Sequence, residues 1–326
     1  MNVLQKIAQP IEAFRQEFET SFANSFQNTS GLVQEALTHV NGTTGKHIRP
    51  LLLGLCAGMC GSTPSEKSVN AAVLLELLHS ASLIHDDVID QSPRRRGALT
   101  LNAIYSNHVA VLVGDYLLSV AFMQATESGS KELMKIAASV GKALSEGELR
   151  QIEAAQDSKM TTEEQYINII EKKTAALFEA FAFLGARSVE ASGEQLLLCS
   201  SIGKNLGYAF QIKDDIFDYT PSKEIGKPTS NDILEGKITL PLICAYQKAS
   251  AEEQEKMRSC IEKAPSNEEA LQELMNYVHK FDALSLAHEK LLLYTERAKE
   301  AILRFEDSPY RHSMLQLVDF LVERNY

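Results

Sequence analysis

The chain has 326 residues, of which 44% are hydrophobic and 23% are charged, a composition typical of a soluble globular protein with a sizeable core. Its 32 Lys and Arg residues against 43 Asp and Glu residues give a net charge of −11, which argues against a general attraction to nucleic acid or to an anionic membrane. The five cysteines form no CxxC pair, so neither a zinc site nor a disulfide framework is indicated, and we expect reduced thiols.

The N-terminal stretch MNVLQKIAQPIEAF lacks the basic start and apolar block of a secretory signal. The strongest apolar run, residues 51–60, is too short to cross a bilayer. We therefore expect a soluble, cytoplasmic protein that has no transmembrane segment and does not bind nucleic acid.

Apolar residues recur at three- and four-residue spacing along almost every long segment, which predicts an all-α protein. Clusters of Gly, Pro, Ser and Asn predict breaks at residues 61–66, 91–100, 127–131, 157–164, 220–232, 263–269 and 306–311. Thr161, with Glu164 three residues later, predicts a capping box for the helix that follows the fourth break. Since no flexible linker or repeat divides the chain, we expect residues 1–326 to form one bundle of roughly ten or more helices.

Two acidic motifs share one form, HDDVID at 85–90 and KDDIFD at 213–218. On a helix the three carboxylates of each motif span about 100° of arc, and the first and third lie one turn apart. Carboxylates at this spacing repel each other, so a cation is expected, and Mg²⁺ prefers carboxylate oxygens and commonly shares its ligand shell with a substrate phosphate. A single copy is more simply a solvated helix face, but two copies within apolar sequence favour metal binding. The candidate ligands are Asp86, Asp87, Asp90, Asp214, Asp215 and Asp218.

Basic residues flank both acidic motifs: Lys46, Arg49, Arg94, Arg95, Arg96, Lys173, Lys227 and Lys237. Arginine binds phosphate oxygens in a bidentate manner, and lysine acts as a point charge. Any one of these residues is more simply a surface charge, but the set indicates two diphosphate sites. No GxxxxGK[ST] spacing occurs around Gly45, Gly226 or Gly236, which argues against a nucleotide site of that type.

These residues resemble the trans-isoprenyl diphosphate synthases, or polyprenyl synthetases, of the long-chain type. The resemblance runs in family order from GKHIRP through LLHSASLIHDDVIDQSPRRRG to GKPTSNDILEGKITLPLI, over roughly residues 30 to 250. It implies the all-α isoprenoid synthase fold with a deep central cavity, usually in a homodimer. It also implies a prenyltransferase that condenses isopentenyl diphosphate onto an allylic diphosphate, with farnesyl or geranylgeranyl diphosphate as the expected starter.

The resemblance also implies residue roles by motif position. The six aspartates would hold three Mg²⁺ ions on the allylic diphosphate, which Arg95, Lys173, Lys227 and Lys237 would contact as well. Lys46, Arg49, His79 and Arg96 would bind isopentenyl diphosphate, Thr174 and Gln211 would line the reaction centre, and Phe210 would pack on that substrate. The expected catalytic residues are Asp86, Asp87, Asp90, Lys173, Thr174, Gln211 and Asp214.

Some residues carry a simpler interpretation or depart from the family pattern. A lone histidine on an apolar helix is usually a core residue, but His79 lies seven residues before Asp86 and on the same helix face. Asp115 and Tyr116 are expected to be packing or interface groups. The family often has an extra Gly and an Arg where this chain has Thr44 and His47, which puts affinity in question more than activity.

Product length is predicted from the residues before the first motif. Ser82 lies four residues before Asp86, about 6 Å along the helix on nearly the same face. Short-chain members of the family commonly carry a bulky aromatic where this chain has Ala81 or Ser82. Without such a plug, a prenyl tail can pass Leu78 and Leu75, which predicts an all-trans product of about six to ten isoprene units (C30 to C50) for quinone side chains. The alternatives are a geranylgeranyl or farnesyl diphosphate synthase, or a non-catalytic helical partner subunit.

Overall fold

A computed structural model of the chain describes residues 3–27, 29–43, 45–156, 160–220 and 230–323. Helices dominate these residues, as predicted. The helices up to residue 156 are α1 (Val3–Ile7), α2 (Glu12–Asn24), α3 (Gly31–Gly42), α4 (Ile48–Met59), α5 (Glu66–Ile89), α6 (Leu101–Ile104), α7 (Asn107–Glu127) and α8 (Lys131–Gln156). Those that follow are α9 (Glu163–Ile170), α10 (Ala176–Ser188), α11 (Gly193–Asp218), α12 (Asn231–Leu234), α13 (Leu240–Lys248), α14 (Ala251–Lys263), α15 (Glu268–Lys280), α16 (Ala283–Ile302) and α17 (Pro309–Glu323).

Shorter elements complete the backbone. A π-helical turn, Glu171–Ala175, joins α9 to α10, and 3₁₀ turns occupy Gln9–Ile11 and Ala264–Ser266. The strands β1 (Arg94–Arg95) and β2 (Ala98–Leu99) form a small antiparallel hairpin directly after α5.

The predicted breaks lie between the end of one helix and the start of the next, as at Met59 and Glu66 around the first break. Residues 157–159 and 221–229 of two other breaks lie outside the described residues. The predicted position of the capping box, Thr161 with Glu164, was wrong by one residue. Thr162 accepts a hydrogen bond from the Gln165 amide at 3.2 Å, and the Gln165 side chain accepts one from the Thr162 amide at 2.8 Å. Glutamine can replace glutamate in this reciprocal motif, while the side chain of Thr161 is buried.

The chain divides into two compact units. The first unit comprises Met1–Lys142, Leu177–Gly203 and Ala301–Leu317, and the second comprises Ala143–Ala176, Lys204–Glu300 and Val318–Tyr326. The single domain over residues 1–326 stays a prediction.

The core of the first unit is built around α5, which packs against α2, α4 and α7. Apolar residues on several faces of α5, including Leu74, Leu75, Leu77 and Leu78, are fully buried. A helix that is apolar on most sides is typical of a protein interior. The acidic turn at its end, residues 86–90, is therefore attached to a rigid and deeply packed element.

The core of the second unit packs α13 against α9 and α15, and α14 against α15. Tyr219, the first residue after α11, is completely buried in it, and its hydroxyl accepts a hydrogen bond from Thr239 Oγ1 at 3.1 Å. This anchor fixes the end of α11, where the second acidic motif lies.

Within the described ranges, α7 is the one helix long and apolar enough to cross a membrane by length and composition, and 33% of its most apolar window is buried. The strongest apolar run of the sequence, residues 51–60, instead falls mostly within the shorter helix α4. One such helix is weak evidence for a membrane span, because a helix of a soluble protein can pass the same test.

Candidate active site

The first acidic motif occupies the end of α5. Asp87 is buried, and its Oδ1 accepts a hydrogen bond from Arg95 Nε at 2.8 Å, across the turn that leads into the β1–β2 hairpin. Burial raises the pKa of the Asp87 carboxyl, while Arg95 opposes that shift. Asp86 and Asp90 are half-buried. The motif thus has one anchored carboxylate between two more accessible ones, and the structure brings Arg95 to it as predicted.

Arg49 and His79, each predicted to bind isopentenyl diphosphate, contact each other in the first unit. Arg49 Nη1 donates a hydrogen bond to His79 Nε2 at 2.8 Å, and the guanidinium lies 4.7 Å from the centre of the Phe178 ring. Burial lowers the pKa of His79 well below its usual value, and the Arg49 cation adds to that effect. His79 is therefore neutral and orients Arg49, a contact that the sequence did not indicate.

Arg96 lies against the segment that precedes α4. Its Nη1 donates to the Thr43 carbonyl at 3.2 Å, and a Cβ added at Gly45 would lie only 2.7 Å from its guanidinium carbon. Glycine at position 45 therefore permits this close approach, and Arg96 comes next to the chain segment that carries Lys46.

The second acidic motif ends α11 and carries a chain of hydrogen bonds. Thr174 Oγ1 donates to Gln211 Oε1 at 2.6 Å, and Gln211 Nε2 donates to Asp215 Oδ1 at 2.8 Å. The Tyr166 hydroxyl donates to Asp215 Oδ2 at 2.6 Å. Asp215 is 3% exposed, and burial raises its pKa to about 7, although both hydrogen bonds oppose the rise. The structure brings Thr174, Gln211 and Asp215 together, while Asp214 and Phe210 are half-buried on the same helix.

Asp218 ends the motif and is held by backbone groups. Its two oxygens accept hydrogen bonds from the amides of Asn231 at 3.1 Å and Asp232 at 3.0 Å. Lys237 forms an ion pair with Glu235 at 2.6 Å, and its charge lowers the pKa of the nearby Asp232, which burial raises. Lys227 lies outside the described residues.

Lys173 lies in the π-helical turn and pairs with Glu148 of α8, which is buried. Its Nζ also donates to Gln151 Oε1 at 3.3 Å. A Cβ added at Gly147 would lie 2.7 Å from the Lys173 backbone nitrogen, so glycine is needed where the two backbones approach. Single π-helical turns occur frequently at functional sites. This π-helical turn carries Lys173, which contacts Glu148, and Thr174, which contacts Gln211.

Two site residues were missed by the sequence analysis. Tyr166 is one of the regularly spaced apolar-face residues of α9, and nothing local distinguishes it from a core tyrosine. Glu148 lies in EGELRQ, residues 146–151, within the range of the resemblance, where no local pattern marks it as a site residue.

Each acidic motif offers oxygen ligands only, with one buried carboxylate between two half-buried ones. Among the described residues, no three Asp, Glu, His or Cys side chains form a group that could hold a metal ion. Burial raises the pKa of Asp87 and of Asp215, and a cation bound beside either carboxyl would favour its ionised form. An oxygen-only ligand set that is incomplete without water and phosphate oxygens suits Mg²⁺.

Comparisons with known proteins decide the family. A sequence model described as "Polyprenyl synthetase" matches residues 30–278. The chain belongs to the polyprenyl synthetase family. This polyprenyl synthetase is 35% identical to the "All-trans-nonaprenyl-diphosphate synthase (geranyl-diphosphate specific)" of Rhodobacter capsulatus, over 99% of this chain and 97% of that protein.

Solved structures agree with the family assignment. The polyprenyl synthetase is similar to a decaprenyl diphosphate synthase from Rhodobacter capsulatus, with a TM-score of 0.90, 33% identity and 98% of each chain covered. It is also similar to a polyprenyl synthase from Caulobacter crescentus CB15 complexed with calcium and isoprenyl diphosphate, with a TM-score of 0.91, 29% identity, and coverage of 100% of this chain and 98% of that one.

Several predictions from the sequence are thereby confirmed. The protein has the all-α isoprenoid synthase fold and is a prenyltransferase, and the nonaprenyl and decaprenyl diphosphate synthases to which it is similar agree with the predicted long-chain product. The family uses isopentenyl diphosphate and allylic diphosphates and generally depends on divalent metal ions.

Proposed function

We propose that the protein elongates farnesyl or geranylgeranyl diphosphate to a product of about C30 to C50 for quinone side chains, with Mg²⁺ held by its two acidic motifs. The observation that carries the site assignment is the shared design of the motifs. In each, the second aspartate is buried and hydrogen-bonded, Asp87 to Arg95 and Asp215 to Gln211, while the first and third are half-buried. Such motifs have a fixed anchor and accessible oxygens for a cation.

The allylic diphosphate is the group that the aspartates, Arg95, Lys173, Lys227 and Lys237 bind in this proposal. Three bound Mg²⁺ ions would supply charge stabilisation for the departing diphosphate. Arg95 and Lys173 are both held by carboxylates, Asp87 and Glu148 respectively, so their cationic groups are already oriented. Fixed cations at the point where negative charge develops favour ionisation of the allylic carbon–oxygen bond.

Isopentenyl diphosphate is assigned to Lys46, Arg49, His79 and Arg96. The bond between Arg49 and His79, and the approach of Arg96 to Gly45, support a common anion site in the first unit. After the allylic carbon–oxygen bond has broken, the double bond of isopentenyl diphosphate attacks the allylic carbon, which forms the carbon–carbon bond and a tertiary cation. Loss of a proton from this cation to the released diphosphate then forms the new double bond. The protein supplies no nucleophile; it positions two substrates and excludes water from the cation.

Thr174 and Gln211 are proposed to line the reaction centre, with Phe210 packing on isopentenyl diphosphate. The amide of Gln211 is fixed at both ends, because its oxygen accepts from Thr174 and its nitrogen donates to Asp215. A side chain fixed in this way holds its neighbours in position without taking a proton itself.

Chain length is assigned to the face of α5 below the first motif. Ala81, Leu78 and Leu75 are buried, and none is an aromatic residue. Ser82 is half-buried, and its hydroxyl donates to the His79 carbonyl at 2.8 Å, so its polar group is satisfied within the helix. This side of α5 therefore presents small or aliphatic groups to a growing tail, which supports the longer product over geranylgeranyl or farnesyl diphosphate.

We also propose a cytoplasmic homodimer. Four large apolar residues of α7 are exposed, Val111, Leu112, Phe122 and Met123, and residues 11 apart lie within about 20° on a helix. Exposed apolar surface on one face is typical of a protein interface. The same face carries an open depression of about 430 Å³ beside Phe122 and Met123. The five free cysteines agree with a reducing compartment.

The experiment that tests this proposal is incorporation of labelled isopentenyl diphosphate into an organic-soluble product by the purified protein. We expect incorporation that requires both Mg²⁺ and an allylic starter and is lost on addition of EDTA. Asp86→Asn and Asp214→Asn should reduce the rate about a thousandfold or more while leaving the thermal unfolding midpoint high. No incorporation without an added partner protein would support the non-catalytic subunit instead.

A further inference from the structure

His47 is the residue through which the chain enters α4, between Lys46 and Arg49. Its backbone lies in the left-handed region, with φ 48° and ψ 42°, a conformation unfavourable for a residue other than glycine. Its carbonyl nevertheless accepts the hydrogen bond from the Leu51 amide at 3.2 Å that begins the helix. Contacts of the His47 side chain must therefore help to hold this turn.

Two phenylalanines of α2 enclose the imidazole. The ring centres of Phe18 and Phe22 lie 5.3 and 5.4 Å from that of His47, and both pairs meet edge to face. Both phenylalanines are almost completely buried. The ring of His47 is thus fixed in position by uncharged neighbours, and one edge of it faces α5.

That edge faces a buried carboxylate. His47 Nδ1 lies 3.6 Å from Glu76 Oε1, beyond a normal hydrogen bond. Within the described part of the chain, neither His47 Nδ1 nor Glu76 Oε2 has a hydrogen-bond partner, although both atoms are buried. A buried polar atom without a partner is costly, and a protonated imidazole could form a charge-assisted bond here with a small movement.

In the part of the chain that the structure describes, the charged and titratable groups that act on the ring are Glu76, Arg96 and His79, and the rings of α2 that meet it belong to Phe18 and Phe22. Burial lowers the pKa of His47, Glu76 acts to raise it, and the Arg96 cation acts to lower it. His79 is neutral in the folded protein because burial lowers its pKa well below the usual value. In the absence of substrate His47 is therefore neutral. A diphosphate bound at Arg96 would cancel the opposing cation and leave Glu76 as the nearest charge.

We propose that His47 and Glu76 form a proton-linked positioning pair for isopentenyl diphosphate. Binding of that diphosphate beside Arg96 is coupled to uptake of a solvent proton by His47 Nδ1. The imidazolium then bonds to Glu76 and locks the turn that carries Lys46 and Arg49; the proton leaves with the diphosphate. This inference rests on the proposed assignment of Lys46, Arg49 and Arg96 to isopentenyl diphosphate.

The sign of the linkage follows from the direction of the pKa change. Because the bound anion raises the pKa of His47, the complex holds more protons than the free protein, and binding tightens as pH falls. As pH decreases, the KM for isopentenyl diphosphate should fall by at most about tenfold per pH unit. This change is confined to the pH range between the pKa of His47 in the free protein and its pKa in the complex. The kcat and the KM for the allylic substrate are not coupled to this proton.

The experiment measures both KM values and kcat between about pH 6 and pH 8 for the wild type, His47→Gln and His47→Arg. His47→Gln removes the titration and should give a KM for isopentenyl diphosphate about tenfold higher than the wild type at the acid end and a similar KM at the alkaline end. His47→Arg keeps a permanent cation and should give a low KM at both ends. Ionisation of the substrate affects the KM of the wild type and of His47→Gln alike, so the difference between their pH profiles reports His47.

Glu76→Gln supplies a second test. It should abolish the extra pH dependence of the wild type while His47 remains present. A wild-type pH profile parallel to that of His47→Gln would overturn the inference, and so would a change confined to kcat. Absence of any elongation at every pH would contradict the proposed function instead, so the two failures can be distinguished.

Discussion

The hydroxyl of Tyr166 donates a 2.6 Å hydrogen bond to Asp215, and both side chains are buried beneath the second acidic motif. Tyr166 belongs to α9, and Asp215 belongs to α11. The bond favours the ionised form of Asp215 against the effect of burial, so Tyr166 acts on the carboxylate that we assign to metal binding.

Tyr166→Phe removes this donor while keeping nearly the same volume. The pKa of Asp215 should rise further, and the Mg²⁺ concentration for half-maximal activity should increase about tenfold, the size expected for a hydrogen bond to a charged group. A Mg²⁺ titration of the initial rate measures this shift. Tyr277→Phe, in α15, is the matched control and should leave the titration unchanged. The same half-maximal concentration in both variants would show that Tyr166 only packs the core.

The stability of the metal-free protein should depend on pH through the buried carboxyl of Asp215. Burial raises the pKa of Asp215 to about 7, so the folded chain keeps a proton that the unfolded chain, with a pKa of about 3.9, has lost. The free energy of unfolding should therefore fall as pH rises from about 4 to about 7, by at most about 1.4 kcal/mol per pH unit. Asp232 acts in the same direction, since burial raises its pKa too.

Thermal unfolding in EDTA across this pH range measures the effect. Asp215→Asn should flatten the profile, because the amide does not titrate. Mg²⁺ with a diphosphate should raise the midpoint of the wild type most at the alkaline end, where the carboxylates are ionised. A metal-free wild-type midpoint that changes from pH 5 to pH 7 in parallel with that of Asp215→Asn would contradict the assignment.

A bulky residue at position 81 or 82 should shorten the product. Phe at either position places a ring one turn below the first motif, where it blocks extension past Leu78 and Leu75. Since Ala81 is completely buried, Ala81→Phe is expected to cost about 1–3 kcal/mol of stability, and the half-buried Ser82→Phe provides a milder variant. Asn70→Phe, on an exposed position of the same helix, is the control. Reverse-phase chromatography of dephosphorylated products should show shorter prenols for the first two variants only.

The exposed face of α7 should hold two copies together. Leu112 and Met123 are 67% and 61% exposed, and a glutamate at either position would place a charge in the proposed dimer interface. Light scattering after size exclusion should give a dimer mass for the wild type and a monomer mass for Leu112→Glu and Met123→Glu. Leu197→Glu changes an equally exposed residue of α11 and should remain dimeric. A monomeric wild type would exclude the homodimer.

Much of the fold could be predicted because its signals are local. The breaks at residues 61–66 and 127–131 contain the glycines and serines that end helices, and the structure begins α5 at Glu66 and α8 at Lys131. The β1–β2 hairpin and the π-helical turn could not be predicted, since each depends on what the segment contacts. The hairpin returns Arg95 to Asp87, and the π-helical turn lies where Gly147 meets the Lys173 backbone.

The candidate site was predictable only where its chemistry repeats within a few residues. The two acidic motifs are recognisable by the spacing of their aspartates. The roles of the flanking basic residues were predicted from the resemblance. The partners Tyr166, Glu148 and Glu76 were not predicted, because each meets its target from another helix and looks locally like an ordinary core or surface residue. These distant contacts set which carboxylates are buried and which cations are oriented.

The most direct test of the central claim is the mass of the main product. The purified protein is incubated with Mg²⁺, farnesyl diphosphate and excess isopentenyl diphosphate, and the products are sized by mass spectrometry. The account predicts one main all-trans product between about C30 and C50. A main product of C15 or C20 would contradict the assignment of Ala81, Ser82, Leu78 and Leu75 to an open path for the prenyl tail.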